Sequence, residues 1–136
     1  MCVYYSAHMI RVIAMGGPAS NNDVRGATKA ALRKSGKMYE VANRADAAHA
    51  NLGEGLPIYI AGVLACVFTG VSPELVDKCV ANYLATAVAF VVVYCAQPLA
   101  GSLSEGFGAI RSVLWLTRTT VACSMIMLAA QAAKTQ

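Results

Sequence analysis

The chain has 136 residues, of which 57% are hydrophobic and 13% are charged, and its mean hydropathy is +0.54. Soluble domains carry roughly 25% charged residues, so this composition argues against a soluble protein. Disorder is excluded because it requires low hydrophobicity and many charges. The net charge of +4 does not indicate a nucleic-acid module, since a small basic domain has no place for so much apolar surface. The composition therefore predicts an integral membrane protein.

Charged residues are absent from three long stretches. Residues 55–73 and 79–104 contain none, and residues 112–133 contain only Arg118. A helix needs roughly 20 apolar residues to cross about 30 Å of hydrocarbon. A helix of a soluble bundle would show a polar stripe, and residues 85–96 show none. We predict three membrane spans, at about Leu56–Ser72, Leu75–Gln97 and Ser112–Ala133.

The N-terminal stretch Met1–Met15 is apolar but short, and His8 and Arg11 interrupt it. A signal peptide would carry its basic residues before the apolar run, whereas Arg11 lies inside this one. We predict that residues 1–15 form the inner half of a first membrane helix, either shortened here or completed by residues outside this sequence. The expected fold is an all-α, four-helix membrane bundle, one domain over residues 1–136.

The loops predict the orientation in the membrane. In the loop 16–50 basic residues outnumber acidic ones, whereas the connection Ser72–Lys78 carries two acids and one base. Because basic loops stay in the cytoplasm, the first loop is expected there and the second on the opposite side. The glycine-rich loop Gln97–Arg111 then returns to the cytoplasm, and both chain ends face away from it. The expected location is an endoplasmic reticulum-type membrane in a eukaryote or the inner membrane in a bacterium.

The cysteines point to no disulfide framework and no metal site. The five cysteines are odd in number and contain no C-x-x-C pair. Four of them lie in or near apolar spans, where cysteine behaves as a small hydrophobic residue. No P-loop, H-E-x-x-H or G-x-S-x-G motif occurs in the sequence.

A group of polar residues leads directly into the second span. On a helix Arg44, Asn51 and Glu54 share one face, and His49 lies to the side of it. A carboxylate at the mouth of a span is costly unless it meets a cation or a ligand ammonium. Two interpretations follow: the group binds a small polar molecule between helices, or Glu54 pairs with an arginine of a neighbouring helix and stabilises packing.

The fourth span supplies a second polar group. Arg111-Ser112 opens this span, and Arg118 follows on the same helical face about 10 Å deeper. An arginine at that depth costs roughly 2.5–3.5 kcal/mol unless it faces a partner or a watery cavity. We therefore expect Arg118 to point into the protein, toward an acid such as Glu54 or a subunit neighbour. Tyr94, near the cytoplasmic end of the third span, adds a hydroxyl at a depth similar to that of Arg111. It belongs either to the site or to the membrane interface, as an interfacial tyrosine.

The sequence resembles the MAPEG family, the membrane-associated proteins in eicosanoid and glutathione metabolism that include microsomal glutathione transferases. The resemblance covers nearly the whole chain and is carried by the basic loop, Arg44, the segment His49-Ala50-Asn51-Leu52-Gly53-Glu54, Pro57, Tyr94 and Arg111-Ser112. It implies a homotrimer of four-helix subunits that binds glutathione between subunits near the cytoplasmic side. A lipophilic co-substrate would enter from the bilayer, for glutathione conjugation, peroxide reduction or prostaglandin endoperoxide isomerisation.

The resemblance also implies a role for each matched residue. Asn51 and Glu54 would hold the peptide part of glutathione, with Glu54 at its α-amino group. Arg44 and Arg111 would bind carboxylates. The candidate catalytic residues are Arg111, Ser112 and Tyr94, with Ser112 near the thiol. The remaining candidates for ligand binding are His49, which matches the motif without a defined role, and Arg11.

Two departures from the family pattern concern cations. Eicosanoid-forming members carry an arginine two helical turns before the third-span tyrosine, where this chain has Ala87, and further arginines in the second-span motif, where it has Ala47 and Ala50. Fewer cations weaken the binding of an anionic tripeptide. The predicted function is a glutathione-dependent transferase or peroxidase for lipophilic electrophiles, needing neither metal nor nucleic acid. The alternative is a non-catalytic membrane protein that keeps the fold and uses its polar cluster for helix packing.

Overall fold

A computed structural model describes residues 2–14 and 36–135, which fold as four helices without a strand. These are α1 (Cys2–Ala14), α2 (Lys37–Phe68), α3 (Pro73–Ala96) and α4 (Ser104–Ala133). Two short 3-10 turns, Gln97–Leu99 and Gly101–Leu103, connect α3 to α4. The predicted all-α class is confirmed, and α2, α3 and α4 are each long and apolar enough to cross a membrane.

The start of α2 differs from the prediction. This helix begins at Lys37, well before Leu56, so residues 37–50 are helical rather than part of a loop. The predicted loop was wrong there because charge opposes burial in a membrane but does not oppose helix formation. The segment is rich in alanine, a strong helix former, and Glu40 and Arg44 stand at the i,i+4 spacing that stabilises helices. The rest of the predicted loop, residues 16–35, lies outside the described residues.

A tight turn joins α2 to α3. The N–H of Val71 donates to the carbonyl of Cys66 at 3.0 Å, and the N–H of Gly70 donates to that of Val67 at 3.3 Å. This is the Schellman pattern, which requires a left-handed residue just after the helix, and Gly70 has φ of 68°. Pro73 then occupies the first turn of α3, where its missing N–H costs nothing. The span boundary predicted at Ser72 therefore falls in this turn.

The connection between α3 and α4 is shorter than predicted. Gly106 and Gly108 lie inside α4 rather than in a loop, because α4 begins at Ser104 and not near Ser112. A helical glycine costs about 1 kcal/mol relative to alanine, a loss that packing can offset. The side chain of Gln97 donates to the carbonyl of Ser104 at 3.2 Å and ties the connection to the first residue of α4.

The helix α2 is the centre of the arrangement, since it contacts each of the other three helices. Helix α3 packs on α4, and α1 lies mainly against α2. One core cluster joins α1, α2 and α3 and consists largely of small residues with two aromatic rings, Phe90 and Tyr94. A second cluster at the other end joins α2, α3 and α4 around Cys66 and Met125. The polar groups of the predicted site lie beside the first cluster.

Candidate functional site

A cavity lies between α2, α3 and α4, and four of the predicted site residues line it. Its lining consists of Asn51, Phe90, Tyr94, Arg111, Ser112 and Trp115. We call it the Arg111 cavity. Asn51 comes from the second-span motif, Tyr94 from the end of α3 and Arg111-Ser112 from α4, so segments far apart in the sequence meet here.

The ring of Tyr94 is the point at which two cations converge. The guanidinium carbon of Arg111 lies 4.7 Å from the ring centroid, and that of Arg44 lies 5.9 Å from it. Cations within about 6 Å of an aromatic face are attracted to its negative potential. Both guanidinium groups therefore lie within about 6 Å of the buried ring of Tyr94. Such a pair provides positive charge for an anionic ligand.

Asn51 is held in place by its own helix and by Tyr94. Its side-chain amide donates to the carbonyl of Ala47 at 2.9 Å and to the hydroxyl of Tyr94 at 3.4 Å. These bonds use the amide nitrogen and leave the side-chain oxygen of Asn51 available as an acceptor. Ser112 is similar: its hydroxyl donates to the carbonyl of Gly108 at 3.2 Å and keeps lone pairs for a donor in the cavity.

Arg44 stands at a separate opening. It lines a cavity between the start of α2 and the α3–α4 connection, together with Glu40, Asn43, Gln97, Pro98, Gly101 and Ser104. Its contact with the ring of Tyr94 links this opening to the Arg111 cavity. Arg44 is therefore near the rim of the site rather than inside it.

Glu54 and Arg118 line another cavity deeper along the helices. This cavity, which we call the Arg118 cavity, is bounded by Glu54, Gly55, Ile58, Tyr83, Trp115, Arg118, Thr119 and Ala122. Trp115 belongs to both this cavity and the Arg111 cavity, so the two are neighbours separated by one indole ring. The side chain of Glu54 is exposed and forms no ion pair among residues 2–14 and 36–135.

Arg118 is buried as expected, with 1% of its surface exposed. Its predicted pairing with Glu54 is not observed. Instead the Nη2 atom donates to the backbone carbonyl of Asn51 at 2.9 Å, and Nη1 has no hydrogen-bond partner among the described residues. The reason is local: α2 presents Gly55 to the guanidinium, since a Cβ there would lie 3.2 Å from Nη2, and this lets the arginine approach the helix backbone.

The two remaining candidates, His49 and Arg11, lie on the α1 side of α2. The Nδ1 atom of His49 is 3.0 Å from the carbonyl oxygen of Tyr4, and the two rings are 4.0 Å apart. The Nε atom of Arg11 is 3.1 Å from a carboxylate oxygen of Asp46. Neither residue lines the Arg111 cavity or the Arg118 cavity. Their contacts hold α1 against α2.

Two aromatic residues of the site were missed by the sequence interpretation. Phe90 and Trp115 form apolar walls of the Arg111 cavity. A sequence signal existed for Trp115, because it follows Arg111 by four residues and so shares its helical face. Phe90 likewise precedes Tyr94 by four residues, and the two rings are 5.1 Å apart. Neither signal was decisive, since aromatic residues are common throughout apolar spans.

The three alanines at family arginine positions have different surroundings. Ala87 is buried in the core between α1, α2 and α3, and Ala47 packs against the same cluster. Ala50 is exposed. Within the part of the chain that the structure describes, the cations that line the three cavities above are Arg44, Arg111 and Arg118.

The sequence model of the MAPEG family matches residues 1–131 of the chain, so this protein belongs to the MAPEG family. No curated protein and no solved structure matches the chain. With its three long apolar helices, it is an integral membrane protein of that family.

Proposed function

For this member of the MAPEG family, we propose a glutathione-dependent transferase or peroxidase activity toward lipophilic electrophiles. The observation that supports this most is the Arg111 cavity, where a guanidinium, a hydroxyl, an amide oxygen and a tyrosine ring meet beside a tryptophan. Polar groups of this kind suit a peptide thiol, whereas Phe90 and Trp115 suit an apolar co-substrate. The proposal includes a homotrimer, a membrane lipid environment and no metal.

The charge of each residue would determine which group of glutathione it binds. Arg111 and Arg44 are fixed cations that attract the carboxylates of the tripeptide, and a planar guanidinium can bind a carboxylate through two hydrogen bonds. Asn51 would accept a peptide N–H, and Glu54 would receive the α-ammonium group. The hydroxyls of Ser112 and Tyr94 would lie near the thiol. His49 would act through the placement of α1 rather than by contact with the ligand.

The chemistry would come from the glutathione thiolate, which attacks an electrophilic carbon and displaces its leaving group. With a lipid peroxide it attacks an oxygen, breaks the O–O bond and releases an alcohol, and a second glutathione converts the resulting sulfenic acid to the disulfide and water. The protein must favour the thiolate over the thiol, and a nearby guanidinium does so because its positive charge stabilises the anion. Arg111 is the cation best placed for that role, because it lines the same cavity as Ser112. Trp115 and Phe90 would keep water away from the reacting atoms.

A second function, membrane packing without catalysis, is favoured by a different observation. The amide of Asn51 and the guanidinium of Arg118 both donate to groups of this same chain. Polar groups satisfied in this way stabilise helix contacts without a ligand. The absence of a cation at Ala87 points in the same direction.

A thermal melt with glutathione distinguishes the two functions. Bound ligand raises the stability by RT ln(1 + [L]/Kd), about 2.7 kcal/mol when the ligand is at 100 times Kd. We expect millimolar glutathione to raise the melting temperature of the detergent-solubilised wild type. The Glu54→Gln variant removes only the charge and should bind at least about thirty-fold more weakly, since truncating one member of a desolvated charge pair costs about 2–5 kcal/mol.

The matched control is Glu74→Gln, because Glu74 is exposed at the start of α3 and pairs only with Lys78 among the described residues. This variant should keep the full glutathione shift. If the wild-type melting temperature does not respond, or responds equally in Glu54→Gln, glutathione does not bind as proposed. A lower melting temperature of ligand-free Glu54→Gln would then support the packing function.

A further inference from the structure

Arg118 is a buried cation to which no element of the MAPEG resemblance assigns a role. It lies seven residues after Arg111 on α4, which places it about 10 Å deeper in the membrane. A charge at such a position is expensive unless an opposite charge or water compensates it. Among residues 2–14 and 36–135, its buried terminal nitrogen Nη1 has no hydrogen-bond partner and no acid pairs with the guanidinium.

The missing counter-charge has room beside the arginine. Arg118 lines the Arg118 cavity, and the opposite charge on the wall of that cavity is the exposed Glu54. Glu54 is itself unpaired in the described part of the chain. A cavity with one unpaired cation and one unpaired anion on its walls matches a zwitterion, in which an ammonium and a carboxylate stand on the same carbon.

We infer that the Arg118 cavity binds an α-amino acid group, with its carboxylate on Arg118 and its ammonium on Glu54. This inference rests on the proposed function, where the group is the γ-glutamyl end of glutathione. It adds a specificity-determining residue, Arg118, that binds the α-carboxylate and compensates for the alanine at position 87. The aromatic rings of Tyr83 and Trp115 and the side chain of Ile58 form the apolar part of the wall.

The spacing of the two arginines supports this assignment. Arg111 and Arg118 stand two helical turns apart on one face of α4, about 10 Å along the helix axis. Three residues of extended chain span roughly 10 Å. A tripeptide with a carboxylate at each end therefore reaches from one guanidinium to the other, passing Trp115, which borders both cavities. The glycine carboxylate belongs at Arg111 and the γ-glutamyl carboxylate at Arg118, while Arg44, at the rim of the site, attracts the anionic ligand by its charge without binding either carboxylate.

Ligand analogues test the assignment directly. The probes are glutathione and 4-aminobutyryl-cysteinyl-glycine, which lacks only the α-carboxylate. Affinities are measured by calorimetric titration and by the fluorescence of Trp115, the only tryptophan of the chain. We expect wild type to bind glutathione about thirty-fold more tightly than the analogue, because one desolvated charge pair is lost. In Arg118→Gln the two ligands should bind equally.

Two further variants keep the test valid if Arg118→Gln does not fold. Gly55→Val keeps the charge of Arg118 but adds a branched side chain where even a Cβ would lie 3.2 Å from its Nη2 atom, so it should displace the guanidinium and reduce the ratio of the two affinities. Lys78→Gln removes an exposed cation elsewhere and should leave the ratio unchanged. A general loss of affinity or stability affects both ligands equally, so it does not change the ratio of the two affinities.

The outcomes separate this inference from the proposed function. If wild type binds neither ligand, the glutathione function fails and the inference falls with it. If wild type binds both ligands equally, or if the thirty-fold preference survives in Arg118→Gln or in Gly55→Val, only the assignment of Arg118 is overturned. Arg118 would then have only a structural role, through its hydrogen bond to the backbone carbonyl of Asn51.

Discussion

At the scale of single residues, small side chains decide where α2 can approach its neighbours. Gly62 is buried, and a Cβ at this position would lie 3.1 Å from both the carbonyl oxygen of Ala122 and the Cβ of Met125. Gly55 gives the guanidinium of Arg118 access to the helix backbone in the same way. Small residues are the usual means by which membrane helices pack closely. The close contact between α2 and α4 therefore depends on glycine at two positions, Gly55 and Gly62.

Replacement of Gly62 by valine tests this contact. The added methyl groups meet backbone atoms of α4 that cannot rotate away, so we expect a loss of about 1–3 kcal/mol in the free energy of unfolding. The measurement is the melting temperature in detergent. The control is Gly106→Ala, where a Cβ meets nothing within 4 Å. That substitution should be neutral or stabilise α4 by up to about 1 kcal/mol, through better helix propensity.

At the scale of the elements, α2 combines a charged first part with an apolar second part. The helix is continuous from Lys37 to Phe68, and Pro57 stands where the polar sequence gives way to the apolar one. Proline removes one helix hydrogen bond, which neighbouring groups in a membrane protein can re-satisfy. The polar side chains of the site, Asn51 and Glu54, lie just before this point. The site therefore occurs at the membrane boundary of α2.

Cysteine labelling tests which part of α2 lies in water and on which side. In a background without the five native cysteines, Asn43→Cys should react with a membrane-impermeant maleimide only after the cytoplasmic face is opened. Asp77→Cys, in the first turns of α3, should react from the opposite face. Leu64→Cys is exposed on the isolated subunit but lies in the apolar part of α2, so it should react from neither side. Labelling of Asn43→Cys in intact cells would overturn the predicted orientation.

At the scale of the whole molecule, one subunit leaves much of its apolar surface uncovered. In an apolar stretch of 18 residues taken from each long helix, the buried share is only 17% in α2 and 22% in α4, against 39% in α3. Small residues such as Ala61, Ala81 and Ala85 are exposed on these surfaces, where they permit close approach of another subunit. In a membrane, lipid or another protein chain must cover these faces.

We expect the protein to assemble as a homotrimer in a mild detergent, because the cavities at Arg44 and Arg111 open at the surface of the isolated subunit. A neighbouring subunit would close them and reduce the exposure of their charges to lipid. Multi-angle light scattering or native mass spectrometry measures the mass of the assembly. A preparation that contains only monomer, while it retains its helical circular dichroism spectrum, contradicts the trimer.

The sequence alone determined the membrane class, the helical fold, the family resemblance and the burial of Arg118. Each follows from free energies that depend on local composition: long uncharged runs belong in hydrocarbon, and a lone arginine in such a run must face inward. Periodicity also placed Arg44, Asn51 and Glu54 on one helical side. The helical start of α2 at Lys37 was missed, because charge marks where a chain leaves the membrane and not where a helix ends.

Only the tertiary structure decided which of these side chains meet. Asn51 reaches Tyr94 and the Arg111 cavity, whereas Glu54, one turn further along, lines the cavity of Arg118. Arg118 donates to a backbone carbonyl and not to Glu54, since Gly55 leaves space that no spacing rule reveals. These contacts depend on the rotation and separation of three helices. Those are set by packing between segments distant in sequence, to which local patterns are insensitive.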